Sequence, residues 1–347
     1  MSASPTPALQ YAIRQLANGA SLSESESRAA FGAVMSGDAT SAQLAALLVA
    51  LRVKGETSAE VAGAADALRG AMIRLPADAP GDLVDTCGTG GGSVSTFNIS
   101  TAAALLAAGL GVRIAKHGNR SFTSQCGSAD VLEALGVPVE VSVPVMEQAL
   151  REAGIVFMFA PLMHPAMRHV GPVRRELAIQ TVMNIVGPLA NPAGAGRQVV
   201  GVADARRVPL IAGALRALGA THALVVHGEP GMDEISPLGP THVVEIRDGT
   251  TREWAIDPRS FGFAAGEASE LAGGPPAENA AAVRAVLDGS APPTAIAAVV
   301  LNAAGALYVA PGGPADFGDA VAAAREGLRE GVGVAALERL RSAYSHP

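Results

Sequence analysis

Between residues 83 and 226 the chain alternates short apolar runs of strand length with helix-like runs, and this alternation constrains the fold more than any other feature. The strand-like runs are Leu83–Thr86, Val112–Lys116, Ile155–Phe159, Val199–Val202 and Ala223–Val226. Helix-like runs fall between them at 99–108, 129–135, 143–153 and 208–218. Strands joined through helices run in the same direction, so the pattern predicts an α/β domain with a largely parallel, doubly covered sheet. Runs at 241–247 and 250–255 predict two antiparallel strands beyond it. From 276 onward the chain reads as helical, interrupted at Ala291-Pro292-Pro293-Thr294 and Pro311-Gly312-Gly313-Pro314.

The first 75 residues follow a different rule. Three capping boxes occur in succession: Ser23 with Glu26, Thr40 with Gln43, and Thr57 with Glu60. In each, the hydroxyl accepts from the third N–H of the helix while the acid or amide reaches back. Gly19, Gly37 and Gly55 stand where helices should stop. Helices are therefore predicted over 7–18, 24–36, 41–53 and 58–73, with Leu44, Leu47, Leu48 and Leu51 forming a buried stripe. Short loops favour antiparallel neighbours, and a bundle this small gains from a partner surface. Residues 1–75 are read as an α-helical packing and dimerisation domain, and 76–347 as the α/β domain. The breaker cluster Pro76 to Gly81 reads as a hinge.

A chain of 347 residues is long enough for about two domains. Apolar residues are 49% and aromatics only 3%, so the core must be built from Ala, Val, Leu and Ile. The net charge of −7 argues against nucleic acid as a partner. Any bound phosphate must then be held by backbone N–H groups, a few local cations or a metal. Two cysteines, Cys87 and Cys126, make neither a disulfide scaffold nor a zinc motif. The start of the chain lacks a basic segment followed by an apolar run, as a secretory signal requires. The apolar stretches Ala102–Val112 and Ala295–Leu301 fall short of the ~18 residues that span a bilayer. The expectation is a cytoplasmic protein without a membrane partner.

Four segments at strand ends carry chemistry. The first runs from Asp85 to Thr101, with four glycines in five positions (Gly88, Gly90, Gly91, Gly92) and then several hydroxyls. It reads either as a tight strand–helix turn or as a phosphate cradle, in which backbone N–H groups at a helix start meet an anion. It fits neither a P-loop nor the dinucleotide fingerprint. The second, Lys116 to Ser124, crowds two cations, His117, Asn119 and three hydroxyls into nine residues, a set suited to phosphate and ribose. A solvated surface loop is the plainer reading. The third contains His164-Pro165, Arg174-Arg175-Glu176 and Asn184 to Pro192. An arginine among apolar residues wants a carboxylate or phosphate, or pairs internally, for instance with Glu176; His164 reads as a packed residue. The fourth, His227 to Ser236, holds the adjacent acids Asp233 and Glu234, either on a solvated turn or around Mg²⁺.

Taken together and in this order, these segments resemble the anthranilate phosphoribosyltransferase family of tryptophan biosynthesis, over about residues 8 to 340. The likeness rests on Gly88–Gly91 with Thr96–Thr101, Lys116–Arg120, Gly127–Gly136, the stretch from His164 through Arg174 to Pro192, and His227 to Glu234. It implies a small α-helical domain, joined by about 171–190, and a large α/β phosphoribosyl-transfer domain with a mostly parallel central sheet of the nucleoside-phosphorylase type. It also implies a homodimer formed through the helical domains. The implied reaction moves the phosphoribosyl group of phosphoribosyl diphosphate (PRPP) to the amine of anthranilate, releasing diphosphate.

Carried onto this chain, the resemblance implies that Gly88, Gly91, Gly92, Thr96, Asn98, Ile99, Ser100, Thr101, Lys116 and Ser128 contact PRPP, and that His117, Gly118, Asn119, Arg120, Ser121, Phe122, Thr123 and Ser124 close over it. Gly88, Asn119 and Arg174 would meet anthranilate, with Arg174 on its carboxylate. Ser100, Asp233 and Glu234 would hold Mg²⁺. Lys116, Asn119 and Arg174 are the implied catalytic set. An aniline nitrogen is neutral at pH 7, so no essential general base is expected. The chain departs from the family in three places. Gly92 replaces a usual Asp, Thr123-Ser124 replaces two serines, and Gln180 stands where a basic residue is frequent. The change at Gly92 reads either as altered metal use or as a positive φ that Asp tolerates poorly. Two other readings stand beside this one: a pyrimidine nucleoside phosphorylase-like enzyme, usually longer, and a non-enzymatic nucleic-acid-binding relative, which should be basic.

Overall fold

The computed structural model describes residues 7–121 and 125–345. It opens with helices α1 (Pro7–Ala17), α2 (Glu24–Met35), α3 (Ser41–Lys54) and α4 (Ser58–Gly70). Then come β1 (Val84–Gly88), α5 (Ile99–Gly109), β2 (Ile114–Gly118), α6 (Ser128–Ala134), α7 (Val143–Glu152) and β3 (Ile155–Phe159). Short helices α8 (Ala160–Met163), α9 (Gly171–Leu177) and α10 (Met183–Val186) precede β4 (Arg197–Gly201), α11 (Val208–Ala217) and β5 (His222–Gly228). The chain ends with β6 (Thr241–Arg247), β7 (Thr250–Ile256), α12 (Pro276–Leu287), α13 (Pro293–Val309), α14 (Phe317–Arg329) and α15 (Val332–Ser345).

Two compact units result. The helical unit takes Met1–Arg74, Pro161–Pro192 and Pro209–Gly219; the α/β unit takes Leu75–Ala160, Ala193–Val208 and Ala220–Pro347. Residues 171–190 thus lie in the helical unit. So does nearly all of α11, which a continuous 76–347 domain would include. The alternation of strands and helices fixes chain direction but not the layer on which a crossover helix packs. The contact that holds α11 is local: Ser58 Oγ donates to Leu210 O at 3.1 Å, and a Cβ on Gly213 would lie 2.4 Å from that hydroxyl.

All three capping boxes form, at Ser23/Glu26, Thr40/Gln43 and Thr57/Glu60. Gly19, Gly37 and Gly55 take φ of 76°, 81° and 88° at the helix ends. Leu44, Leu47, Leu48 and Leu51 are buried. Glu60 does more than cap. It is fully buried, accepts from Leu22 N and Thr57 N, and pairs with Lys54 Nζ at 2.9 Å. A buried carboxylate with its partners satisfied ties three segments of the bundle together.

The sheet runs β3-β2-β1-β4-β5-β6-β7. The first five strands are parallel, while β5, β6 and β7 pair antiparallel, as the sequence predicts. Asp248 and Gly249, both at positive φ, turn β6 into β7. The two apolar stretches fall largely within α5 and wholly within α13, helices buried nearly all round as core helices must be. Among the described residues no helix is long and apolar enough to cross a membrane.

Glu245 on β6 anchors the hairpin side. His222 Nε2, Arg252, Trp254 Nε1 and Tyr308 Oη all approach its carboxylate within 2.8–3.2 Å. Burial alone would raise its pKa, but the hydrogen bonds from His222 and Arg252 prevail and hold it at about 2. A pKa depressed on folding contributes stability that is complete above the unfolded value, near 4.5, and is lost as pH falls toward about 2. Glu245→Ala should cost about 2–4 kcal/mol at pH 7, since it strands the polar groups of the buried His222 and Tyr308. Urea unfolding at pH 7 and pH 3 checks this: the gap to wild type should narrow at the lower pH.

Candidate active site

The strand order reverses between β1 and β4, because β1 leads outward to β2 and β3 while β4 leads to β5. Beyond the carboxyl ends of such strands lies the crevice where α/β sheets take ligands. Here both strands end on glycine, and Gly88 pairs with Gly201 in register. The loop after β5 lies directly on them. A Cβ at Gly201 would fall 1.7 Å from the Asp233 carbonyl oxygen, and one at Gly88 2.5 Å from Asp233 Oδ2.

That loop is tied on both sides. Gly90 N donates to Asp233 Oδ2 at 2.7 Å, Ser93 N to Gly231 O at 2.9 Å, and Ser93 Oγ to Pro230 O at 2.7 Å. On the core side the Asn302 carboxamide accepts from Ile235 N and donates to Ile235 O, both at 2.9 Å. Gly90 and Gly91 have φ of 70° and 79°, conformations that favour glycine. Gly92 is not among the positive-φ glycines, so the backbone explanation of its departure fails. Its Cβ position lies 3.3 Å from Asp233 Oδ1, so a carboxylate there would face Asp233.

Beneath the glycine turn Lys116 is buried, while Asp233 and Glu234 above it are half-buried. Lys116 Nζ donates to Thr86 O at 2.5 Å and Ser100 Oγ at 3.2 Å. Burial lowers its pKa, against the pull of Asp85. Burial and then the neighbouring Asp233 charge push Glu234 up to about 8, although Lys116 and the Ser100 N–H oppose this. Burial also raises Asp233. A cavity of about 10 Å³, room for one water, is lined by Thr86, Cys87, Ser100, Gly201, Glu234 and Asn302. Among the described residues no three His, Cys, Asp or Glu side chains converge as a metal group. Mg²⁺ needs only one or two carboxylates, completed by waters and phosphate oxygens. Two crowded acids beside a hydroxyl are an all-oxygen set of that kind, and a cation would relieve the strain that raises their pKa values.

The structure places the other sequence-predicted residues unevenly. Thr96 and Asn98 flank the turn half-buried; Ile99 is fully buried, and its N–H is taken by Phe97 O. Thr101 is buried in the first turn of α5. The His117 N–H donates to Asp85 Oδ1, and Ser128 Oγ lies 3.4 Å from Asn119 O. Gly118 backs onto that hydroxyl: a Cβ there would lie 2.1 Å from Ser128 Oγ. Asn119 Oδ1 accepts from Arg120 N at 2.7 Å, and Ser121 N donates to Asp130. Arg120 is turned to Asp130, Glu133 and Glu140, which consume its charge. Phe122, Thr123 and Ser124 lie outside the described residues.

Arg174 sits on α9 in the helical unit, half-buried, with its pKa lowered by burial, whereas Arg175 is exposed. Among the described residues no acid pairs with Arg174, so the internal bridge to Glu176 does not form. His164 is buried and pushed down to about 4 by that burial, as a packed residue would be. Sequence reasoning missed Gly201, Asn279 and Asn302. Glycine closing a valine-rich strand was a usable signal for the first, and one amide within an apolar helix for the last.

A helical bundle in the same chain as an α/β unit that carries an acid pair above a glycine turn is the make-up of a two-domain glycosyl transferase. Residues 10–72 match "Glycosyl transferase family, helical bundle domain", and residues 80–334 match "Glycosyl transferase family, a/b domain". A relative from Rubrobacter xylanophilus, an anthranilate phosphoribosyltransferase, is 50% identical over 95% of this chain and 96% of its own. The crystal structure of the Thermus thermophilus anthranilate phosphoribosyltransferase superimposes with a TM-score of 0.90, at 42% identity over 96% of this chain and 99% of that one. The Saccharomyces cerevisiae enzyme, solved with PRPP and Mg and also with 4-fluoroanthranilate, gives a TM-score of 0.87 in the PRPP complex, at 27% identity over 98% of both chains. The chain belongs to the anthranilate phosphoribosyltransferase family.

Gly201→Ala should leave the far-ultraviolet circular dichroism unchanged and lower activity about 100-fold, since shifting catalytic groups by ~1 Å costs on that order. Turnover and circular dichroism measured on one preparation check it.

Proposed function

We propose that the chain transfers the 5-phosphoribosyl group of PRPP to the amine of anthranilate, giving N-(5-phosphoribosyl)anthranilate and diphosphate, as a cytoplasmic enzyme of tryptophan biosynthesis. The observation that carries this reading is the Asp233–Glu234 pair seated over the glycine turn at the sheet's switch point. The names and ligands of the relatives support it.

Diphosphate leaves poorly until its charge is neutralised. The backbone N–H groups of Gly91 and Gly92 face the anion, and Ser128 takes the phosphoribosyl group from the start of α6. Lys116 supplies positive charge below the turn and orients Ser100. Ser100, Asp233 and Glu234 would hold Mg²⁺, which when bound would offset the charge of the leaving group. Arg174 binds the anthranilate carboxylate, while Gly88 and Asn119 position the ring. As the C1–O bond breaks, the ribosyl carbon gains positive character and the neutral aniline nitrogen captures it. Positioning and leaving-group stabilisation supply the rate, with no essential base. The helical unit pairs two copies into a homodimer. Val53, Ile179 and Tyr11, apolar residues exposed by 82%, 49% and 40%, support such an interface.

Loss of anthranilate fluorescence on adding PRPP and Mg²⁺ tests the reaction directly. The double change Asp233→Asn, Glu234→Gln should raise the Mg²⁺ concentration needed for half-maximal rate by at least about tenfold while Tm changes little. A Mg²⁺ titration that superimposes on wild type rules these acids out as metal holders. Arg174→Ala should raise the KM for anthranilate by about 30-fold or more, the loss of a desolvated charge pair, and leave the KM for PRPP unchanged. Arg175→Ala serves as the control, and a reversed outcome for the two arginines refutes the assignment.

A further inference from the structure

The side chain of Asn98 does not cap its own helix, although it stands at the N-cap of α5. Its carboxamide is spent on other elements. Nδ2 donates to Cys126 O at 3.3 Å, in the loop that leads to α6. Oδ1 accepts from Asn279 Nδ2 at 2.8 Å, and Asn279 Oδ1 accepts from Gly274 N at 2.7 Å. Asn279 lies on α12 with only 3% of its surface exposed. The segment before α12 also abuts the turn: Phe97 N donates to Leu271 O at 2.9 Å, and a Cβ on Gly273 would lie 2.4 Å from Thr96 O.

The direction of this relay is fixed at both ends. A backbone N–H can only donate, so Asn279 must turn its oxygen to Gly274 and its nitrogen to Asn98. A backbone carbonyl can only accept, so Asn98 must turn its nitrogen to Cys126. Neither amide can flip without setting two acceptors or two donors face to face. The relay therefore holds two loops at one spacing: the turn that precedes α5 and the loop that precedes α6. Each leads into residues assigned above to PRPP: Thr96 and Asn98 with Ile99, Ser100 and Thr101 at the start of α5, and Ser128 at the start of α6.

We propose that Asn279 is a positioning residue for PRPP, acting through Asn98 to keep the two phosphoribosyl-binding loops in register. The inference rests on the assignment of those loops to PRPP in the proposed function. It makes α12, remote in sequence from every motif that carries the family likeness, part of the substrate-binding apparatus.

Asn279→Asp is the informative variant. It keeps the shape and the bond from Gly274 but presents an oxygen to Asn98 Oδ1. Asn279→Ala removes the link without adding charge. PRPP binding is measured by titration calorimetry in the presence of Mg²⁺, alongside KM for each substrate, kcat and Tm. Both variants should weaken PRPP binding and raise its KM by about tenfold, the loss of one buried hydrogen bond. The anthranilate KM should stay within about twofold of wild type, and the aspartate should weaken PRPP binding at least as much as the alanine. Unchanged PRPP binding in both variants overturns the proposal, as does a fall in Tm with both KM values unchanged, which is the mark of a structural role. A wild-type protein that binds PRPP without consuming anthranilate refutes the proposed reaction, while weakened PRPP binding by the variants would still support the positioning role. A wild-type protein that does not bind PRPP refutes both.

Discussion

The α/β unit depends on one steric condition. A loop bearing two acids must lie on the ends of β1 and β4, and it can do so only because both strands finish on glycine. β2 and β5 also finish on glycine, with Ser128 Oγ against Gly118 and the Glu234 carbonyl against Gly228. At the switch point the Asp233 backbone touches the sheet itself. Close approach brings the carboxylates over the glycine turn, and the same approach leaves them half-buried, partly shielded from water. The raised pKa values of Asp233 and Glu234 are therefore a product of the packing that positions them.

Burial has a second effect on the same side of the sheet. Lys116 lies below the acids with its ammonium committed to a carbonyl and a serine hydroxyl. The positive charge is fixed in place rather than carried on a flexible surface chain, so little reorganisation is needed when negative charge arrives. Arg120 shows the opposite arrangement. It stands beside the site in sequence, yet three carboxylates outside the glycine turn hold it. Proximity along the chain was a poor guide to which cation is available.

Much of this was legible in the sequence, for identifiable reasons. Capping boxes and helix-stop glycines act over four residues, so all three boxes formed as written. The two antiparallel strands were found because the short turn between them joins neighbours that can only pair antiparallel, β6 then pairing with β5 on its other edge. The helical unit's extra segments were harder, since α11 is an ordinary crossover helix by pattern and joins the bundle through a contact with Ser58. In the site, the glycine turn and the acid pair were visible as clusters. Gly201, Asn279 and Asn302 were not, because each acts alone at a distance and its meaning is set by whatever the fold brings against it. The positive-φ reading of Gly92 failed for a related reason: a run of glycines does not say which of them the turn requires.

Asn302 has a consequence of its own. Its carboxamide offers the Ile235 peptide the donor and acceptor that a neighbouring strand would offer, yet it projects from the longest core helix. The acidic loop is in this sense stitched into the hydrophobic interior as if it were an eighth strand one residue long. Such a seam seats the acids from the core side as well as from the glycine turn, where Gly90 N holds Asp233. A change deep in α13 that rotates one amide would be felt at the mouth of the crevice, with no altered residue anywhere near the ligand.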